Sequence, residues 1–210
     1  ADFMRDGASC RTMTFSTEKN EADLVAKDIR LTADGVRFAS VSGDEISITK
    51  LGIPGMFSVY NALGTMSVGL ALGLSLADCS DAMSSAKGVK GRLEIVPTGR
   101  DFSVVIDYSH KPDALEKVLK TLKPVTRGLI ALFGCGGDRD KLKRPIMGRI
   151  AADNADLVVV TSDNPRTEDP DEIIREIVAG MKDKRTPTKV ICDRREAIAW
   201  AIDNAAPGDV

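Results

Sequence analysis

The chain has 210 residues, of which 43% are hydrophobic and 29% charged, with a formal net charge of -2. That is enough apolar material for one large domain or two small ones. The near-balanced charge excludes the broad basic surface of a non-specific nucleic-acid binder, although Lys141, Lys143 and Arg144 form one local basic cluster.

Residues 24–50 carry short alternating stretches: Asp28-Ile29-Arg30-Leu31, Val36-Arg37-Phe38-Ala39 and Ile46-Ser47-Ile48. Turn signals at Ala33-Asp34-Gly35 and Ser42-Gly43-Asp44 separate them, which predicts a small antiparallel meander. Ile53-Pro54-Gly55 then marks a turn before a helix from about Val59 to Leu72 and a more polar one from Leu76 to Lys87. The longest apolar run, Leu63 to Ala77, is interrupted by glycines and serines and is too short to span a membrane. After Gly91-Arg92 the pattern changes, which predicts a domain boundary near residues 90–96. Phe102 to Asp107 reads as a strand and Pro112 to Leu122 as a helix, with Pro112 in the first turn, where a missing N–H costs nothing. Three strand–helix units follow. Their strands are predicted over 128–133, 156–161 and 189–192, and their helices over 145–154, 170–181 and 194–204. This alternation predicts an α/β fold with a mainly parallel sheet.

The four cysteines are dispersed and there is a single histidine, so no Cys/His zinc pattern exists, and a reducing, cytoplasmic setting is expected. No signal-peptide pattern is evident. The chain opens on Ala1 and closes on Pro207-Gly208-Asp209-Val210, a turn leading into the first residue of a strand. Both ends read as cut from a longer protein.

In an open α/β sheet, ligands bind beyond the carboxyl ends of the strands. Three predicted loops leave such ends: residues 134–140, 162–166 and 193–195. The first is glycine-rich and suits either a tight turn with a solvated Asp-Arg-Asp or close approach to a ligand. It has neither P-loop nor GxGxxG spacing. The second, Asp163-Asn164-Pro165-Arg166, puts a carboxylate, an amide and a guanidinium into four residues. A helix-capping turn would account for its first three residues but not for Arg166. Further candidates are His110, structural or functional, and Asp107, a turn cap or a carboxylate for a ribose hydroxyl. Arg92 reads as a hinge or an anion contact. Asn61 reads as a satisfied core amide or a ligand contact.

Five segments taken together resemble the Mur ligase family, and within it the diaminopimelate-adding branch. They are Gly55 to Leu63, Gly91-Arg92-Leu93-Glu94, Asp107 to Leu115, Gly134 to Pro145, and Asp163-Asn164-Pro165-Arg166. The resemblance implies an ATP- and Mg²⁺-dependent amide-bond ligase of peptidoglycan synthesis. Its substrates would be UDP-MurNAc-L-Ala-D-Glu, meso-diaminopimelate and ATP, with no nucleic-acid or membrane partner. Residues 1–91 would be the last part of the central ATPase domain. Residues 92–210 would be most of a carboxyl-terminal Rossmann-like domain. By the same resemblance, Asn61, Arg92, Asp107 and His110 would lie at the ATP. Arg139, Asp163, Asn164, Pro165 and Arg166 would bind the amino acid. The family's phosphate loop, magnesium ligands and modified lysine have no counterpart here, so this polypeptide alone is expected to be inactive, and no catalytic residue is assigned within it. Alternatives are a lysine-adding or folylpolyglutamate synthase-like ligase, or a Rossmann-like nucleotide-binding module without ligase activity.

Overall fold

A computed structural model of the chain describes residues 7–10, 12–86 and 88–210. They form two compact units, one ending at Gly88 and one running from Val89 to Val210.

In the first unit, β1 (Phe15–Ser16), β2 (Leu24–Thr32), β3 (Gly35–Ser42) and β4 (Glu45–Leu51) make one sheet in that order. The alternating stretches become the antiparallel pairs β2–β3 and β3–β4, joined by two-residue turns. β2 slips register between Lys27 and Arg30, where Asp28 takes φ 50°, so the strand is bulged. β1 joins β2 in parallel, and its two residues are too few to show a period in the sequence. Helix α1 (Met56–Ala71) begins three residues before the expected Val59. Gly55, at φ 94°, turns the chain straight into it. Helix α2 (Leu76–Ser85) is capped by the Ser75 hydroxyl, which accepts from Asp78 N. It ends before the expected Lys87, which lies outside the described residues. Leu24, Phe38, Leu63, Met66 and Leu76 meet in the core of this unit, so the sheet buries one face under the two helices. Among the described residues no helix is long and apolar enough to cross a membrane.

The second unit opens with β5 (Glu94–Val96) and β6 (Val104–Ile106), a two-stranded antiparallel pair. The strand expected over 102–107 is therefore shorter and pairs with one that the sequence pattern did not reveal. Helix α3 (Pro112–Leu122) follows, with the expected bounds. Then come β7 (Ile130–Phe133), α4 (Lys143–Asn154), β8 (Leu157–Val160), α5 (Pro170–Ala179), β9 (Thr188–Val190) and α6 (Arg194–Asp203). β7, β8 and β9 are parallel, and Phe133, Val160 and Val190 sit in register at their ends. Asp209 bridges in parallel to Gly128, and Val210 N donates to Gly128 O, so the chain crosses back to the far side of β7. The fold is Rossmann-like. Val158, Val159 and Val160 are all fully buried, which requires both faces of β8 to be covered. Helices α4 and α5 cross closely: a Cβ on Gly148 would lie 2.1 Å from the Ile177 carbonyl oxygen. That approach sets Arg144, at the start of α4, beside Glu176 on α5.

Candidate functional site

The in-register strand ends send the loops after β7, β8 and β9 off one edge of the sheet, as the sequence pattern predicts. The first two are interlocked. Gly137 N donates to Asn164 O at 2.8 Å, and Arg166 Nη1 donates to Gly137 O. The approach is so close that a Cβ on Gly137 would sit 1.8 Å from the Pro165 carbonyl oxygen. Gly137 thus makes room for a second loop of the protein. Asp138 accepts from the Thr167 hydroxyl at 2.7 Å. The third loop joins through Ser162 N, which donates to Cys192 O at 3.1 Å, and Arg194 Nη1, which donates to Ser162 O at 3.1 Å.

Beneath these loops is an ion network that sequence reasoning missed. The side chain of Arg144 is 0% exposed. Its Nη1 donates to Glu168 Oε2 at 3.0 Å and to Glu176 Oε2 at 2.7 Å. Its Nη2 donates to Glu168 Oε1 at 2.9 Å and to Gly136 O at 3.4 Å. Glu168 Oε1 also accepts from Asp138 N at 2.6 Å, and Glu168 Oε2 takes Lys141 Nζ at 2.9 Å. Four donors therefore fill the lone-pair sites of one carboxylate. They hold it well below the usual carboxylate range, Arg144 contributing most, then Lys141 and the Asp138 N–H. The basic cluster seen in the sequence is accordingly no basic pocket. Arg144 and Lys141 are paired with carboxylates, and Lys143 Nζ donates to His110 O at 2.8 Å.

Asp163, Asn164, Arg166 and Arg139 are exposed at this rim, and Pro165 is partly buried. Arg139 Nη1 donates to the neighbouring Asp138 O at 3.3 Å. The capping reading of Asp163 and Asn164 is corrected: Asp169 caps α5, accepting from Asp171 N. Arg166 takes φ 52° and Asp138 φ 51°. Such left-handed backbone costs on the order of 1–3 kcal/mol and persists only where neighbours impose it. Cys135, in the glycine loop, is buried, and burial pushes its thiol up to about 11, so it offers no thiolate nucleophile near neutral pH.

A second group lies at the turn after β6. Asp107 Oδ2 accepts from Leu93 N at 3.0 Å, and its Oδ1 accepts from Ser109 N at 2.9 Å and from the Ser109 hydroxyl. Asp107 thus organises the turn, and its Oδ2 keeps capacity for one more donor. The Arg92 guanidinium stacks 4.6 Å from the Tyr108 ring centroid, and Tyr108 meets the His110 ring edge-on at 4.9 Å. Arg92, Asp107 and His110 are therefore brought together, with Tyr108, an aromatic the sequence did not single out, as the link. Asn61 belongs to the first unit and is exposed on α1, which removes the core-amide reading.

A Rossmann-like unit with interlocked loops at its strand ends defines a class of small-ligand site, and comparison gives the family. The profile of the Mur ligase, glutamate ligase domain matches residues 91–210, and that of the Mur ligase middle domain matches residues 3–69. The chain belongs to the Mur ligase family. It is 44% identical over 211 residues to the UDP-N-acetylmuramoyl-L-alanyl-D-glutamate--2,6-diaminopimelate ligase of Caldanaerobacter subterraneus subsp. tengcongensis, covering 100% of this chain and 43% of that one. It is 48% identical over 198 residues to ligase 1 of the same name from Clostridium acetobutylicum, covering 92% and 40%. A solved structure of a ligase of that name superposes with a TM-score of 0.77 at 36% identity, covering 99% of this chain and 44% of that one. The chain thus spans about two fifths of the length of the curated relatives it matches.

Proposed function

We propose that this chain carries the amino-acid-binding part of an ATP-dependent ligase that joins meso-diaminopimelate to UDP-MurNAc-L-Ala-D-Glu. The observation that carries the reading is the rim where Arg139, Asp163, Asn164 and Arg166 stand exposed on two interlocked loops. The names of the relatives at 44% and 48% identity support the same substrate. Residues 1–91 would belong to the central domain and 92–210 to the amino-acid-binding one.

In this reading Asp163 and Asn164 receive the ammonium group, and Arg139 and Arg166 receive carboxylates. Arg166 is suited to the distal carboxylate. Its Nη1 is anchored on Gly137 O, which fixes the guanidinium while further N–H donors remain for a bidentate pair. Lysine has the same chain length without that carboxylate and would leave the guanidinium desolvated and unpaired. Rejection of a ligand lacking a required polar group reaches about 10⁴–10⁵-fold.

The chemistry is two transfers. The substrate carboxylate takes the γ-phosphoryl group of ATP, giving an acyl phosphate and ADP. The diaminopimelate amine then attacks the acyl carbon, loses a proton, and expels inorganic phosphate. Holding the amine beside the acyl phosphate makes the attack effectively intramolecular. Arg92, Asp107 and His110 would face the nucleotide, with Asp107 Oδ2 open to a ribose hydroxyl, and Asn61 would contact the base. Among the described residues no group of three or more His, Cys, Asp or Glu side chains is placed to hold a metal ion.

The test is Arg166→Ala in a ligase of full family length carrying these residues. The diaminopimelate KM is expected to rise at least about 100-fold, in line with the polar-group discrimination above, while the ATP KM stays within about twofold. Unchanged diaminopimelate kinetics would contradict the assignment.

A further inference from the structure

We propose that Arg144 and Glu168 are positioning residues of the amino-acid site: a buried guanidinium–carboxylate clamp that sets the distance between the loop bearing Arg139 and the loop bearing Asp163 to Arg166. The proposal rests on the reading of those loops as the diaminopimelate site.

Neither residue needs to touch the ligand. Arg144 is fully buried and Glu168 has only 15% of its side chain exposed. What they join is informative. Glu168 lies one residue beyond the Asp-Asn-Pro-Arg segment, and its own N–H donates to Pro165 O at 3.0 Å, so the carboxylate is tied to that loop. Through Arg144 it reaches the start of α4 and the Gly136 carbonyl. Through the Asp138 N–H and Lys141 it reaches both flanks of Arg139. One carboxylate therefore holds the backbone just before Arg139 and the Lys141 side chain two residues after it, and lies two residues from Arg166. Asp138 and Arg166, both in left-handed backbone, fall one on each loop, within the span that this carboxylate ties down.

The network is not built for stability alone. A buried ion pair repays its desolvation poorly, and apolar replacements of similar volume are often as stable. Arg144 Nε is, among the described residues, a buried side-chain polar atom with no hydrogen-bond partner, which adds a cost. Apolar packing could join α4 to α5, as it does at Gly148. It could not direct four donors onto one carboxylate between two loops whose exposed guanidinium groups must match two carboxylates of one ligand. A misplacement of about 1 Å from a change remote from the chemistry can cost on the order of 100-fold.

The experiment is steady-state kinetics of Glu168→Gln, Glu176→Gln and Arg166→Ala in a ligase of full family length, each checked for folding by circular dichroism and thermal melting. Glu168→Gln keeps the shape of the side chain but turns an amide N–H toward a donor. It is expected to raise the diaminopimelate KM by about 10–100-fold, with the ATP KM within about twofold. Glu176→Gln takes the charge off one outer partner of Arg144, and an expected rise of about two- to fivefold sets the order. A purely structural role would lower kcat with the fraction of active enzyme and leave every KM in place. A diaminopimelate KM unchanged in folded Glu168→Gln overturns the proposal. Should that variant not fold, Glu176→Gln decides: a rise specific to diaminopimelate supports the clamp, and no rise overturns it. A rise in Arg166→Ala without one in the Glu168 variant overturns only the clamp. No change in either overturns the site reading as well.

Discussion

The rim around Arg166 and the turn around Asp107 both follow a strand of the same unit, but they are held in different ways. The rim is tied by partners 24, 30 and 32 residues apart in sequence, through Arg144, Asp138, Glu168 and Glu176. The turn is tied mostly by itself, Asp107 accepting from Ser109 two residues on and from Leu93 fourteen back. One is a rigid frame between two crossovers, the other a local cap carrying an exposed Arg–Tyr–His stack. A ligand with charges at both ends demands fixed spacing between its partners, and the frame supplies that. An adenosine moiety presents a flat ring and hydroxyls, which an exposed stack and one carboxylate can meet with less constraint. Changes in the frame should therefore be felt strongly and specifically, and changes in the turn weakly.

The largest effect is expected from Gly137→Ala. Its Cβ would meet the Pro165 carbonyl oxygen at 1.8 Å, a backbone atom that cannot swing away. The two loops must part, and stability should fall by about 1–3 kcal/mol or more, read by denaturant unfolding of this chain. Diaminopimelate binding should be lost in the folded remainder. Wild-type stability and affinity in this variant would show that the frame does not depend on the interlock.

The next effect is on pH dependence. Arg144, Lys141 and the Asp138 N–H hold the Glu168 carboxyl below its unfolded-state value. The unfolded chain then takes up a proton more readily, so this contribution is full above about pH 4.3 and is lost as the pH falls through the depressed folded value. The gap in Tm between wild type and Glu168→Gln should be widest near neutral pH and narrow steadily below about pH 4. A gap independent of pH would show that the carboxylate is not held in its charged form by these partners.

The smallest effect is expected at the turn. Tyr108→Ala removes the ring beneath the Arg92 guanidinium. Exposed cation–π pairs are worth about 0.5–1 kcal/mol, so the ATP KM should rise only about two- to fivefold, with the diaminopimelate KM unchanged. A larger effect on diaminopimelate than on ATP would reverse the roles given to the two regions.

The same contrast explains what could be read from the sequence. Helix α3 matched its expected bounds because Pro112 fixes the start and its apolar residues recur with a helical period. The strand-end loops after β7 and β8 were legible because those strands are continuous apolar runs separated by a helix, and β9, short and exposed, was legible from its place in the strand–helix alternation. Arg144 was legible only as one of three clustered cations. Its acidic partners, Glu168 and Glu176, lie on the far side of a strand, in positions that read as an ordinary charged loop and helix. Pairing across a crossover leaves no local period, so the frame had no signature in the sequence. For Asn61 only the core-amide alternative fell away. Its apolar neighbours suggested burial, but helix α1 turns that position outward.

In the proposed site Arg166 selects for a second carboxylate. The direct measurement is the ratio of kcat/KM for meso-diaminopimelate to that for L-lysine, in wild type and in Arg166→Ala, with the UDP-MurNAc-dipeptide and ATP saturating. Wild type should prefer diaminopimelate by about 10⁴-fold or more, and the variant should lose about 100-fold or more of that preference, mainly through the diaminopimelate KM. An unchanged ratio in a folded, active variant would contradict the account.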